Sequence, residues 1–154
     1  MPLKEIDWQT KIIESAKLVG GYGKKWASPF NKGVPDLIIG LPKLGGWLFE
    51  VKVVDAKEWV VEKKTPVRMK QLYELRMFAK AGMQAGIMIV VRMPNDINYL
   101  AVMPPDHDEF TVELDMMILH KRAVRWLPRS KFALIPLVTG LRNYLRRDLR
   151  DITT

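Results

Sequence analysis

The sequence predicts an α/β fold, on three observations. Residues 4–19 carry apolar side chains at helical spacing. Two β-rich apolar runs, 33–40 and 46–52, are separated by Pro and Gly as the arms of a hairpin. A second helical stretch stopped at Gly82 is followed by two further apolar runs, 85–91 and 98–103. The order helix, hairpin, helix, strand, strand is that of an α/β domain.

The first helix has an informative phase. At about 100° per residue, Ile12, Ala16, Trp8, Val19 and Ile13 form one apolar arc. Glu5 and Gln9 fall inside it, while Asp7 and Glu14 point away. A Glu or Gln on a buried face needs a partner or an ion; alternatively, a fraying first turn lets Glu5 reach water. After Gly20-Gly21-Tyr22-Gly23 the chain reads as a basic loop from Lys24 to Lys32. Lys24, Lys25 and Lys32, interleaved with aromatics, suit contact with a nucleic-acid backbone. Trp26 and Phe30 are read as packing beneath the hairpin.

The hairpin carries the chemistry. Asp36 stands at the start of its first arm, and Glu50 and Lys52 lie two apart on the second, so both emerge on one face with Val51 on the other. Two carboxylates at the rim of a sheet can hold Mg²⁺ through one or two oxygens each, leaving its other positions to water and phosphate. A Lys beside them positions or deprotonates the attacking water, or neutralises charge on phosphorus. Such a set suits metal-assisted hydrolysis of a phosphodiester. The plainer reading is a solvent-facing hairpin in which Glu50 and Lys52 pair and Asp36 caps a turn.

A charged stretch, 55–64, separates the hairpin from the second helix. Thr65 is placed to cap that helix, Pro66 to open it and Gly82 to end it. Gln71 shares an arc with Leu75, Phe78 and Ala79, so its amide points toward the sheet, either to orient a ligand carboxylate or water or as a satisfied structural amide. Asp106-His107-Asp108-Glu109, beside two prolines, reads as a solvated loop. Pro128 and Pro136 are read as breaks, and a last helix over 138–150 has Leu141, Leu145 and Leu149 on one face with Arg142, Arg146 and Arg150 beside it. This amphipathic helix offers its arginines to phosphate or serves as a dimerisation helix.

The 154 residues and 48% hydrophobic content suit one domain with a real core. There is no cysteine and there are only two histidines, which removes disulfides, thiolate zinc sites and His-centred nucleases. No apolar run approaches the length of a membrane span and no signal-peptide pattern opens the chain, so the reading is a soluble, cytoplasmic protein without a membrane partner. The net charge of +8 is uneven: residues 1–119 hold 16 Lys/Arg against 15 Asp/Glu, and residues 120–154 hold 9 against 2. A basic tail fits a polyanion, through counterion release; a membrane surface or a solubilising surface would carry a similar charge.

Together these residues resemble the PD-(D/E)XK nucleases, and within them the virus-type replication-repair nuclease (VRR-NUC) family. Carrying the resemblance are Gly20-Gly21, Lys25, Ser28-Pro29, Gly33-Val34-Pro35-Asp36, Phe49-Glu50-Val51-Lys52, and Gln71 followed by Gly82 and an apolar strand, over residues 5 to about 92. The resemblance implies a restriction-endonuclease-like core, a mixed sheet flanked by helices. It implies Mg²⁺ or Mn²⁺ bound by Asp36, Glu50 and the Val51 carbonyl, with Lys52 as catalytic lysine and Gln71 as helix-borne glutamine. The family's first-helix glutamate falls near Gln9 or Asp7 by alignment on Gly20-Gly21, whereas the helical face favours Glu5 and Gln9. The spacing from Lys52 to Gln71 is longer than is usual in the family.

Small stand-alone members resemble phage-encoded Holliday-junction-resolving homodimers, which would place such a protein in the host-cell cytoplasm. The expectation is therefore a nuclease core over 1–104 and a basic helical extension over 105–154 packed on the same domain, acting as a metal-dependent endonuclease on branched DNA. A sequence-specific homing or restriction-type enzyme, a DNA-binding module that does not cut, and an RNA-cleaving enzyme are the alternatives.

Overall fold

A computed structural model of the chain describes residues 3–26, 33–57, 60–63, 67–111, 116–129 and 133–153, without the side chains at 62–63, 96, 110 and 147–153. Its elements run α1 (Glu5–Leu18), β1 (Tyr22–Lys25), β2 (Leu37–Leu41), β3 (Gly45–Lys57), β4 (Val60–Lys63), α2 (Met69–Lys80), β5 (Gln84–Arg92), β6 (Asn98–Met103), α3 (Met116–Arg122), β7 (Arg125–Pro128) and α4 (Leu134–Thr153). Among the described residues the strands form one seven-stranded sheet in the order β1-β2-β3-β5-β6-β7, with β4 paired to the far end of β3. β3 and β5 pair in parallel and every other pair is antiparallel. The fold is thus a mixed α/β sheet flanked by helices, as expected.

Every side chain from Trp47 to Val54 on β3 is buried, because this central strand is covered on both faces. Its odd positions, Trp47, Phe49, Val51 and Val53, join one cluster with Trp8, Ile12 and Ala16 of α1 and Leu134, Leu137, Val138 and Leu141 of α4. Leu48 and Val54 join the opposite cluster with Leu72 and Leu75 of α2 and Met116 and Leu119 of α3. By the same alternation Glu50 and Lys52 fall on the α2 side. α2 is the crossover that a parallel pair requires, and Gly82, at φ +98°, ends it in a conformation that glycine adopts without strain.

The structure departs from the sequence reading in several places. Lys24 and Lys25 belong not to a loop but to β1, an edge strand whose Lys24 pairs with Ile38 and Lys25 with Leu37. Val19 lies past the end of α1 and is exposed. Within the 55–64 stretch, residues 55–57 belong to β3 and residues 60–63 pair with them as β4. α2 begins at Met69 with Arg68 as its N-cap; Thr65 and Pro66 lie outside the described residues, as do Ser28, Pro29, Phe30 and Lys32. Pro136 does not break the tail: it sits in the first turn of α4, where a missing N–H costs no intrahelical bond. Asp108 and Glu109 are paired rather than loose, with Arg76 at 2.7 Å and with Arg122 respectively.

Candidate active site

β2 ends one residue short of Asp36, and the site occupies the gap that this leaves beside β3. Leu37 is the last β2 residue to pair in that direction, opposite Phe49. Beyond it the edge of β3 has no strand partner from β2, and the Asp36 carboxylate takes over: its Oδ2 accepts the Val51 N–H at 2.9 Å. In a β-strand the N–H and C=O of one residue project to the same edge. The Val51 carbonyl therefore also points to the edge where Asp36 stands.

Glu50 is fully buried and Lys52 nearly so. Lys52 Nζ stands 3.6 Å from Glu50 Oε1, and Gln71 Nε2, from the first turn of α2, donates to the same oxygen at 2.6 Å. The other Gln71 atom, Oε1, accepts the Arg68 N–H at 3.0 Å and so holds one of the amides that a helix start leaves without a partner. Glu50 Oε2 is buried without a hydrogen-bond partner among the described residues. Burial pushes the Glu50 carboxyl up to about 9, the Asp36 charge adds to this, and Lys52 pulls the other way.

Glu5 reaches the same place from α1. Its carboxyl is raised from its ordinary value by burial, lowered by Lys52 and raised by Asp36. Gln9, one turn on, is half-buried. Asp7 faces outward and accepts the Lys4 N–H at 2.8 Å as a helix cap, and Glu14 is exposed. The solvent-facing hairpin is ruled out by the burial of Glu50 and Lys52.

A cation fits this set. Three acidic side chains, Asp36, Glu50 and Glu5, act electrostatically on one another and on Lys52, and a buried carboxyl that burial drives toward its neutral form regains its charge where a cation meets it. No group of three or more His, Cys, Asp or Glu placed to hold a metal ion occurs among the described residues. Two carboxylates and a backbone carbonyl form an open shell, which suits an ion that keeps several waters.

Lys25 stands beside the site, since it pairs with Leu37 next to Asp36, whereas the arginines of α4 lie apart. Lys25 Nζ contacts the Ile6 carbonyl at 3.4 Å, and Lys24 is exposed on β1. Arg142 donates to the Lys43 carbonyl at 2.9 Å in the β2–β3 turn. With Arg146 it borders a depression formed by Gly82, Met83 and Pro105, past the far end of α2 from Gln71 and roughly 14 Å along that helix. The Arg150 side chain lies outside the described residues. Trp26 packs its ring 5.6 Å from that of Phe78 on α2.

Sequence reasoning missed one group that bears on the site. Arg92, at the end of β5, holds Asp55 through Nε at 2.6 Å and Nη2 at 2.9 Å, and its Nη1 donates to the Leu3 carbonyl at 2.8 Å. Leu3 is two residues before Glu5, so this brace anchors the start of α1. An acidic and a basic residue closing two apolar strands were the available signal, legible only once β3 and β5 are known to run in parallel register.

No family model matches the chain, and no curated protein matches it. Among solved structures it is similar to a VRR_NUC domain, at 31% identity over 58% of this chain and 85% of that one, with a TM-score of 0.42. It is also similar to Hjc, a Holliday junction resolvase from the archaeal hyperthermophile Archaeoglobus fulgidus, at 16% identity over 75% of this chain and 89% of that one, with a TM-score of 0.49. The sequence identity of the first, across most of that domain's length, is the finding that bears on family.

Proposed function

We propose, from the premise that this chain belongs to the VRR-NUC family, that it is a divalent-metal-dependent endonuclease that hydrolyses phosphodiesters in branched DNA. The observation that carries the reading is the buried, donor-less Glu50 Oε2 beside Asp36, with Lys52 3.6 Å from the other Glu50 oxygen. Asp36, Glu50 and the Val51 carbonyl would hold Mg²⁺ or Mn²⁺. When bound, such an ion withdraws electron density from the phosphate and makes a coordinated water more acidic.

The chain's own residues do the rest. Gln71 fixes Glu50 Oε1, which leaves Oε2 directed at the site. Asp36 binds the Val51 N–H and so locks its own carboxylate against the β3 edge. Lys52, in a largely desolvated position, orients the attacking water and offsets the negative charge that builds on the phosphate oxygens. Glu5 closes the site from α1, where it completes the acidic set. The basic 120–154 segment supports a DNA partner, through phosphate neutralisation. Two copies related by a two-fold axis would supply the paired cuts that a junction needs.

The test is a labelled four-way junction and a linear duplex of random sequence, each incubated with Mg²⁺, with Ca²⁺ and with EDTA. Cleavage of the junction in Mg²⁺ alone is expected. Cleavage of both DNAs at one short sequence would favour a site-specific enzyme, and binding without cleavage in any metal would make the chain a non-cutting module.

A further inference from the structure

Two glycines of the hairpin have no structural reason to be glycine. At Gly21 an added Cβ would meet the Gly40 carbonyl at 2.4 Å, so the fold excludes a side chain there. At Gly40 the nearest atom to an added Cβ is 3.9 Å away, and at Gly46 nothing lies within 4 Å. Neither residue has a positive φ. Glycine in a strand costs stability, and where neither packing nor a positive φ demands it, one use left to it is to let another molecule come close to the backbone.

Gly40 and Gly46 are direct cross-strand partners. Residues directly opposite share a face of the sheet, and so do residues two apart. Gly46 therefore shares its face with Leu48, Glu50 and Lys52, and Gly40 with Ile38. In the β1 register Lys24 lies opposite Ile38 and Tyr22 opposite Gly40. The face that carries Glu50 and Lys52 thus continues outward across β2 and β1. α2 lies over β3 and β5, and Trp26 packs against its Phe78 at the rim nearest Asp36; beyond that contact the outer part of the face is open, with Ile38 41% exposed and Tyr22 59%. Lys17 and Lys24 hold their ammonium groups 6.0 Å and 5.9 Å from the Tyr22 ring centroid.

We infer that this open face is a track for the sugar–phosphate backbone of DNA, running from the candidate site across Ile38 and the bare Gly40–Gly46 floor to Tyr22 and Lys24. The inference rests on the nuclease reading and adds to it where the substrate lies. Charge and continuity select the occupant. Two lysines supply phosphate contacts, Tyr22 and Ile38 offer apolar surface to sugars, and the absence of side chains at 40 and 46 lets a bulky strand sit close to the sheet. Gly40 is four residues along β2 from Asp36, roughly 13 Å at strand spacing, so a strand held there extends from the phosphate at the site.

Gly40→Val and Gly46→Val test the inference, because Val suits a strand and an added Cβ meets no clash at either place. Junction affinity is measured in Ca²⁺ over a range of salt, alongside thermal unfolding. The expected result is an unfolding temperature equal to or above the parent's together with affinity at least about tenfold weaker. Tyr22→Ala is expected to weaken binding as well, and Lys24→Gln to reduce the log–log salt slope by about 1. Glycine variants that bind within twofold of the parent overturn the track, and so does loss of the fold in both, which would make the glycines structural. A parent protein that binds no DNA at all would instead bring down the nuclease reading.

Discussion

Gln71 Nε2 lies 2.6 Å from Glu50 Oε1, and this bond joins the start of a helix to the middle of the central strand. Because Gln71 Oε1 is occupied by the Arg68 N–H at 3.0 Å, the amide cannot flip without losing both partners. Gln71→Ala is expected to lower junction cleavage by about 10- to 100-fold, the usual scale for a partner that orients a metal-binding carboxylate. More Mg²⁺ should be needed to reach half-maximal rate. A metal titration of cleavage checks this, and an unchanged half-saturation would reduce Gln71 to a helix cap.

Asp36 has two tasks that a conservative substitution separates. Asp36→Asn keeps an oxygen to accept the Val51 N–H but loses the charge, so folding should survive while cleavage falls by at least about 10²-fold. Near-parental cleavage in this variant would remove Asp36 from the metal site. Lys52→Ala should raise the barrier by about 3 kcal/mol with DNA affinity kept. Single-turnover rates at saturating DNA distinguish that outcome from a role in binding alone.

The burial of Glu50 predicts how stability responds to pH without metal. Its carboxyl titrates near 4.5 in the unfolded chain and is pushed up to about 9 in the folded one, so between those values the native state binds more protons. Stability from this group is full below pH 4.5 and is lost as pH rises toward 9, at no more than about 1.4 kcal/mol per pH unit. In EDTA the unfolding temperature should fall across this window, and Glu50→Gln should flatten the curve. Mg²⁺ should restore the parent at the alkaline end, since a ligand of the folded state stabilises it. A parent curve that rises from pH 5 to 9 in EDTA would contradict a buried, proton-holding Glu50.

Arg92 predicts coupling at a distance. If its bond to the Leu3 carbonyl sets the position of Glu5, Arg92→Lys should lower cleavage about tenfold, and Glu5→Gln by at least as much. The double variant should then be no worse than Glu5→Gln alone, the non-additivity expected of residues that act as a unit. Glu14→Gln, on the exposed side of α1, should cut normally. Additive losses for Arg92 and Glu5 would show two separate effects.

Much of the site was legible because it obeys short-range rules. The two-residue period of a strand puts Glu50 and Lys52 on one face whatever the rest of the fold does, and the 3.6-residue period turns Glu5 and Gln71 inward. β6 was legible at both ends, since Asn98 and Pro104 bound an apolar run. β1 was not, because Tyr22-Gly23-Lys24-Lys25 is an edge strand whose only inward residue is a glycine, leaving no apolar alternation to see. α3 and β7, of seven and four residues, are too short for a period to declare itself. The Arg92–Asp55 bond depends on which strands are neighbours, and no local pattern encodes that.

The bonds of the site also differ in how much chain each must close. Asp36 and Val51 are 15 positions apart, Glu50 and Gln71 are 21, and Arg92 and Leu3 are 89. Closing a longer loop costs more entropy and is slower to be rewarded by contacts. During folding the hairpin can therefore set Asp36 against β3 first, and the crossover helix can then deliver Gln71. Anchoring of the Glu5 end of α1 waits until β5 has taken its place. Acidic residues that would repel one another in a half-formed chain thus come together in stages, and the last carboxylate is seated only when the sheet that must tolerate it is already built.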